Sequence, residues 1–164
     1  MAMKDLPGSC LFIVGSGDVV ESLKIKSVSE GLEGRIRFIP VMPWEEMMRY
    51  TLAADIGLSL ERDTNVNYRF SLPNKLFDYI SAGLPVIAGD LPEISGILSG
   101  YDCGIIIPRI TPGEIAEAVS LLNSNRDLLN VLKQNSKTAA ADLNWDKESV
   151  KVRELYLNLE AEAR

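Results

Sequence analysis

Short apolar runs alternate with amphipathic stretches along the first 110 residues. Cys10–Val14 (CLFIV) ends at Gly15-Ser16-Gly17 and reads as a buried strand closed by a turn. Val19–Glu30 follows as a helix, with Val20, Leu23, Ser27 and Val28 near one stripe. Arg35–Ile39 (RIRFI) alternates and predicts a strand, and Pro43–Ala54 a helix with Pro43 near its first turn. Asp55–Leu60 (DIGLSL) is the next strand, Glu61–Phe70 a polar loop, Pro73–Ala82 a helix and Pro85–Ala88 (PVIA) a strand. Pro92–Leu98 reads as a short helix and Gly104–Ile107 (GIII) as a strand. Thr111–Leu122, Asp127–Ala141 and Asp146–Ala161 are the closing helices.

Strands and helices in this alternation predict an α/β fold, one parallel sheet with helices on both faces in three layers, Rossmann-like. Right-handed crossovers place the loops that follow each strand along one edge, where ligands of such sheets bind. Those loops are Gly15–Asp18, Pro40–Pro43, Glu61–Leu72, Gly89–Pro92 and Pro108–Thr111.

One helix stands out. Ser71–Ala88 runs SLPNKLFDYISAGLPVIA. At 100° per residue Asn74, Asp78 and Ser81 share a face, with Lys75 beside them, while Leu76, Phe77, Tyr79 and Ile80 cover the rest. Pro73 in the first turn gives up an amide that has no partner there anyway. The neighbouring N–H groups of Leu72, Asn74 and Lys75 form a positive dipole end suited to a phosphate, and Lys75 adds a full charge. Asp78, one turn in, is placed to accept from a pair of vicinal hydroxyls. Phosphate and diol together describe a nucleoside diphosphate. The plainer reading is a solvated polar face behind an ordinary proline start.

Composition narrows the chemistry. The 164 residues suit a single domain spanning the chain. A net charge of −6 argues against nucleic acid as a partner and against membrane contact through this domain. No apolar run approaches a membrane span and no signal peptide is evident, which points to the cytoplasm. There is no histidine, so no Ser-His-Asp triad, Cys-His pair or imidazole-based zinc site can be built from this chain. Cys10 and Cys103 sit beside apolar runs without CxxC spacing and are expected to be reduced, buried thiols.

The same stretch, SLPNKLFDYISAGLPVIA followed by GDLPEI at Gly89–Ile94, resembles the donor-binding signature of GT-B glycosyltransferases, in the large retaining family 4, group 1. LFIVGSG at Leu11–Gly17, RIRFIPVMP at Arg35–Pro43, AADIGLSL at Ala53–Leu60 and DCGIIIP at Asp102–Pro108 follow in that family's order. The resemblance implies the C-terminal, donor-binding half of a GT-B enzyme. It implies that Asp78 holds the ribose hydroxyls of a nucleotide diphosphate sugar. It places Ser71, Leu72, Pro73 and Asn74, with Lys75, at the diphosphate and sugar. Pro40, Val41 and Met42 then fall in the loop that lines the base, and Gly15 and Gly17 border the cleft. Phe70 stands where the family's first acidic residue, a sugar contact, is usual. The family's opening strand, its Arg–Lys clamp and its N-terminal acceptor domain have no counterpart here, so the resemblance implies a donor-binding fragment, inert alone as a transferase. No metal or other cofactor is implied, and polysaccharide assembly is the family-level role.

Other motifs favour plainer readings. Gly15-Ser16-Gly17 lacks the third glycine and the following acid of a dinucleotide fingerprint, so a tight strand–helix turn is preferred to an NAD site. Asp90-x-x-Glu93 fits a helix cap before it fits catalysis, though Glu93 lies on the ligand edge. Arg62 and Arg69 in the polar loop are read as solvated, with phosphate contact the sharper alternative. Trp44 and Trp145 begin helices, Trp145 read as packing, and Glu160–Arg164 is a charged tail. Two other functions remain open at this point: a nucleotide-sugar epimerase of GT-B shape, and a non-catalytic nucleotide-binding or regulatory module.

Overall fold

Five parallel strands run through the computed structural model, which describes residues 1–162, so the last two positions of the charged tail at 160–164 lie outside the described residues. After a 3-10 turn at Ala2–Asp5 come β1 (Leu11–Val14), α1 (Val20–Ser29), β2 (Ile36–Ile39), α2 (Trp44–Ala53) and β3 (Gly57–Ser59). A short α3 (Val66–Arg69), α4 (Asn74–Ser81), β4 (Val86–Gly89), α5 (Pro92–Tyr101) and β5 (Gly104–Ile107) follow. The chain closes with α6 (Pro112–Ser124), α7 (Arg126–Asp142) and α8 (Trp145–Glu162).

The expectation of one continuous sheet needs correction. β1 pairs with β2 in one parallel ladder, Leu11 opposite Ile36 to Val14 opposite Ile39. β3, β4 and β5 form a second, with Gly57 opposite Val86 and Val86 opposite Gly104. The two ladders share no hydrogen-bonded strand pair.

β4 explains the larger half. All four of its residues are buried, as a central parallel strand covered on both faces requires. Successive side chains alternate between two cores. Val86 and Ala88 join Leu76, Ile80, Ile94, Leu98, Cys103 and Ala139 on one side. Ile87 joins Ile107, Ala118, Leu122, Leu129 and Leu132 on the other. A third, smaller cluster of Met3, Leu6, Leu32, Ile36 and Ala116 ties the β1–β2 layer to α6.

The helix α4 lies close on β3 because Gly57 has no side chain: a Cβ there would fall within the ring of Tyr79. Leu76 and Ile80, fully buried, fasten the helix to the core, each contributing about 1.5–3 kcal/mol. Gly83 ends it in the left-handed region at φ +70°, and the N–H of Leu84 donates to the Tyr79 carbonyl at 3.0 Å.

Several local expectations change. The polar loop 61–70 contains α3, capped by the Asn65 side chain, which accepts from the Tyr68 N–H at 2.9 Å. Pro73 is the N-cap of α4 rather than a first-turn residue. Asp90 does not cap α5: the cap is Leu91, with Pro92 as the first helical residue, and the Asp90 carboxylate accepts from the Ser95 hydroxyl at 2.8 Å. Cys10 is exposed, not buried, because it precedes β1 rather than lying in it. In α1 Ser27 is buried and Val28 exposed, the reverse of their polarity, because the Ser27 hydroxyl is satisfied by the Lys24 carbonyl at 3.0 Å. Trp145 is 72% exposed and does not act as a packing residue among the described residues.

Candidate functional site

The site is built on the first turns of α4, at the edge where β3 and β4 end. Pro73 holds an extended conformation, φ −72° and ψ 142°, and its carbonyl accepts from the Leu76 N–H at 3.0 Å. The N–H groups of Leu72, Asn74 and Lys75 meet no acceptor among the described residues. They form the positive end of a helix of eight residues.

One turn further, Asp78 is half-buried. Its Oδ1 accepts from the indole N–H of Trp44 at 3.1 Å. Trp44 opens α2 directly after the loop Pro40–Met42, so this bond joins the loop after β2 to α4. Val41 is largely exposed, and Phe70 and Leu72 are exposed on the approach to α4.

Lys75 does not project freely. Its Nζ lies 2.5 Å from Glu61 Oε1, and Glu61 Oε2 accepts from the fully buried Ser59 hydroxyl at 2.7 Å. Burial pushes the Glu61 carboxyl up, but the bonds from Lys75 and Ser59 and the Lys75 charge outweigh it and hold the group below its ordinary range. Gly89 makes room for this turn: a Cβ there would sit 3.0 Å from the Glu61 carbonyl oxygen. Tyr79 is raised, first by burial and then by the charges of Glu61 and Asp78. The sequence reading did not single out Glu61. The signal was there in the spacing Ser59-x-Glu61, which puts both side chains on one side of an extended segment.

The other singled-out residues are dispersed. Gly15, at φ +135°, and Gly17 make the turn after β1, which the Gly15 N–H ties to the end of β2 through the Ile39 carbonyl at 3.0 Å. Arg69 pairs with Asp63 at 3.3 Å within the loop, and Glu93 is exposed. Arg62 shares with Lys75 and Asp78 the rim of a cavity of about 1030 Å³. That cavity separates the two sheets. It runs from Met1 and Leu6, past Phe12 and Leu58 on the unpaired edges of β1 and β3, to the polar rim.

Comparison with known proteins places the fold. The structure resembles sucrose-phosphate synthase from Thermosynechococcus elongatus with a TM-score of 0.81 at 21% identity, over 98% of this chain and 41% of that one. It resembles the pneumococcal O-GlcNAc transferase GtfA, crystallised with UDP and GlcNAc, with a TM-score of 0.76 at 20% identity, over 94% of this chain and 30% of that one. The C-terminal domain of LpcC, a glycosyl transferase group 1 family protein from Francisella tularensis, matches with a TM-score of 0.70 at 17% identity, over 87% of this chain and 73% of that one. The chain thus spans well under half the length of the first two, and no curated protein sequence matches it. The α/β fold with parallel strands is that of GT-B glycosyltransferases. The model of glycosyl transferases group 1 covers residues 2–139, and the chain belongs to that family.

Proposed function

We propose that this chain is the donor-binding part of a retaining, metal-independent glycosyltransferase that moves a hexosyl-type sugar from a nucleotide diphosphate sugar to an acceptor. The observation that carries the reading is the first turn and a half of α4. Unpaired amides end the helix, a half-buried carboxylate lies one turn in, and both sit on the ligand edge of parallel strands. The amides of Leu72, Asn74 and Lys75 receive the diphosphate, and Asp78 receives the ribose diol. Phosphate competes with Glu61 for Lys75, so a cation becomes available as negative charge grows on the leaving group. Helix dipole and cations supply the charge stabilisation that a divalent ion supplies elsewhere. Holding the ribose fixes the anomeric carbon near the acceptor. That UDP accompanies GtfA supports a nucleotide in this fold.

The acceptor side and one further βα unit come from polypeptide outside these residues, so the isolated chain is inactive as a transferase. The two-sheet arrangement supports this. The order β2-β1, then a cavity, then β3-β4-β5 is that of a doubly wound sheet interrupted at its centre, between two unpaired parallel edges. We place the enzyme in the cytoplasm in polysaccharide assembly. No helix of the described residues is long and apolar enough to cross a membrane.

The test is a titration of UDP, GDP, CDP, ADP and NAD against the chain by calorimetry and thermal shift, beside Asp78→Ala. One nucleoside diphosphate is expected to bind, and Asp78→Ala to weaken it by about 1–3 kcal/mol. Binding of none of the five, by this chain and by the full-length protein, overturns the reading.

A further inference from the structure

We propose that Trp44 is a positioning residue of the nucleoside pocket, acting through Asp78. The inference rests on the donor reading and deepens it by naming the group that sets the ribose contact. Trp44 and Asp78 are 34 residues apart and belong to different helices, yet the indole N–H reaches Asp78 Oδ1 at 3.1 Å. Pro43, the N-cap of α2 at ψ 149°, fixes where the helix begins and so where the indole is rooted. α2 packs on α4, which fixes the other end of the bond. Trp44 remains 58% exposed, so its indole is not accounted for as core filling.

The bond changes what Asp78 can do. The terminal torsion of an aspartate is soft, and a half-exposed carboxylate samples many orientations. A donor fixed on Oδ1 selects one of them. An ionised carboxylate has about four acceptor sites, so one indole N–H leaves room for two hydroxyls. Oδ2 has no protein donor among the described residues. The carboxylate therefore meets a diol already oriented, and less freedom is lost when the nucleoside binds. The effect should appear only on ligands that carry both ribose hydroxyls.

The experiment uses the chain carrying Trp145→Phe, which leaves Trp44 as the single tryptophan. Calorimetry measures the nucleoside diphosphate that binds and its 2′-deoxy counterpart against this protein, Trp44→Phe, Asp78→Ala and the double variant. Trp44→Phe is expected to weaken the ribonucleotide about 3–10-fold and the deoxynucleotide less, so the ratio of the two affinities falls. In the Asp78→Ala background, where the indole has no acceptor to hold, Trp44→Phe should change nothing further. Without any ligand, the emission of Trp44 should differ between the parent protein and Asp78→Ala, where the indole N–H has lost its acceptor. An unchanged affinity ratio in Trp44→Phe overturns the proposal, even where its melting temperature falls, since that is a structural effect alone. A ratio unchanged by Asp78→Ala, or no binding by the parent protein, overturns the donor reading itself and the proposal with it.

Discussion

Lys75 and Glu61 lie 2.5 Å apart, so the cation at the start of α4 is neutralised within the protein. The pair is asymmetric. The Lys75 side chain is 45% exposed and the Glu61 side chain 10%. Glu61 is also bonded by Ser59, so the anion is the fixed member and the lysine the movable one.

Glu61→Gln should therefore act in opposite directions on folding and on binding. The folded carboxyl titrates below its ordinary value of 4.5. Its contribution is complete above that pH and is lost as pH falls through the lowered folded value. The variant should be less stable by about 1 kcal/mol at pH 7, and the gap should close as the pH falls below the ordinary carboxylate range, measured by urea unfolding. At pH 7 the freed Lys75 should bind a nucleoside diphosphate more tightly. Weaker binding in Glu61→Gln would show that Lys75 works only when paired.

Gly57→Ala places a methyl group within the ring of Tyr79, and Gly57 is not in the left-handed region, so the cost is steric. A loss of about 1–3 kcal/mol is expected. Tyr79→Leu in the same chain should recover part of it, so the two changes will not add. Additive losses in thermal melts would mean that α4 does not lie on Gly57 as described.

Ser136 is a buried hydroxyl in α7, 2.7 Å from the Leu84 carbonyl in the turn between α4 and β4. Ser136→Ala removes that donor and leaves a buried carbonyl oxygen short of a partner. Chemical denaturation should show a loss of about 1–2 kcal/mol without change in nucleotide affinity.

The two cysteines should separate by rate. Cys103 is buried and its thiol is pushed up to about 11, first by burial, whereas Cys10 is exposed. A thiol reagent at pH 8 should label Cys10 in the native protein and Cys103 only after unfolding. Labelling of both at one rate would contradict the burial of Cys103.

Much of this was readable before the structure, and the reasons differ by region. β4 and β5 are short apolar runs bounded by Gly and Pro, and their positions follow from period and punctuation. The polar strip Asn74–Asp78–Ser81 followed from helical geometry alone. What stayed hidden depends on partners distant in the chain. The indole at 44 reaches a carboxylate at 78, and nothing local to either residue signals it. The Lys75–Glu61 pair spans a polar loop whose path the periodicity does not set. The division into two sheets was equally silent, because strand pairing is a property of neighbours in space. α3 was missed because four residues are too few for a periodic signal.

The cavity between β1 and β3 also sets how the molecule comes apart. Two of the three apolar clusters lie on the faces of the β3–β5 sheet, and only the smallest joins the other ladder to α6. With no strand-to-strand bond across the gap, opening of the β1–β2 layer breaks few ties to the remainder. The chain is therefore two folding units of unequal strength. In native-state amide exchange the hydrogens of Ile13 and Ile39 should be replaced well before those of Ile87 and Ile107, and mild denaturant should release the weaker layer first.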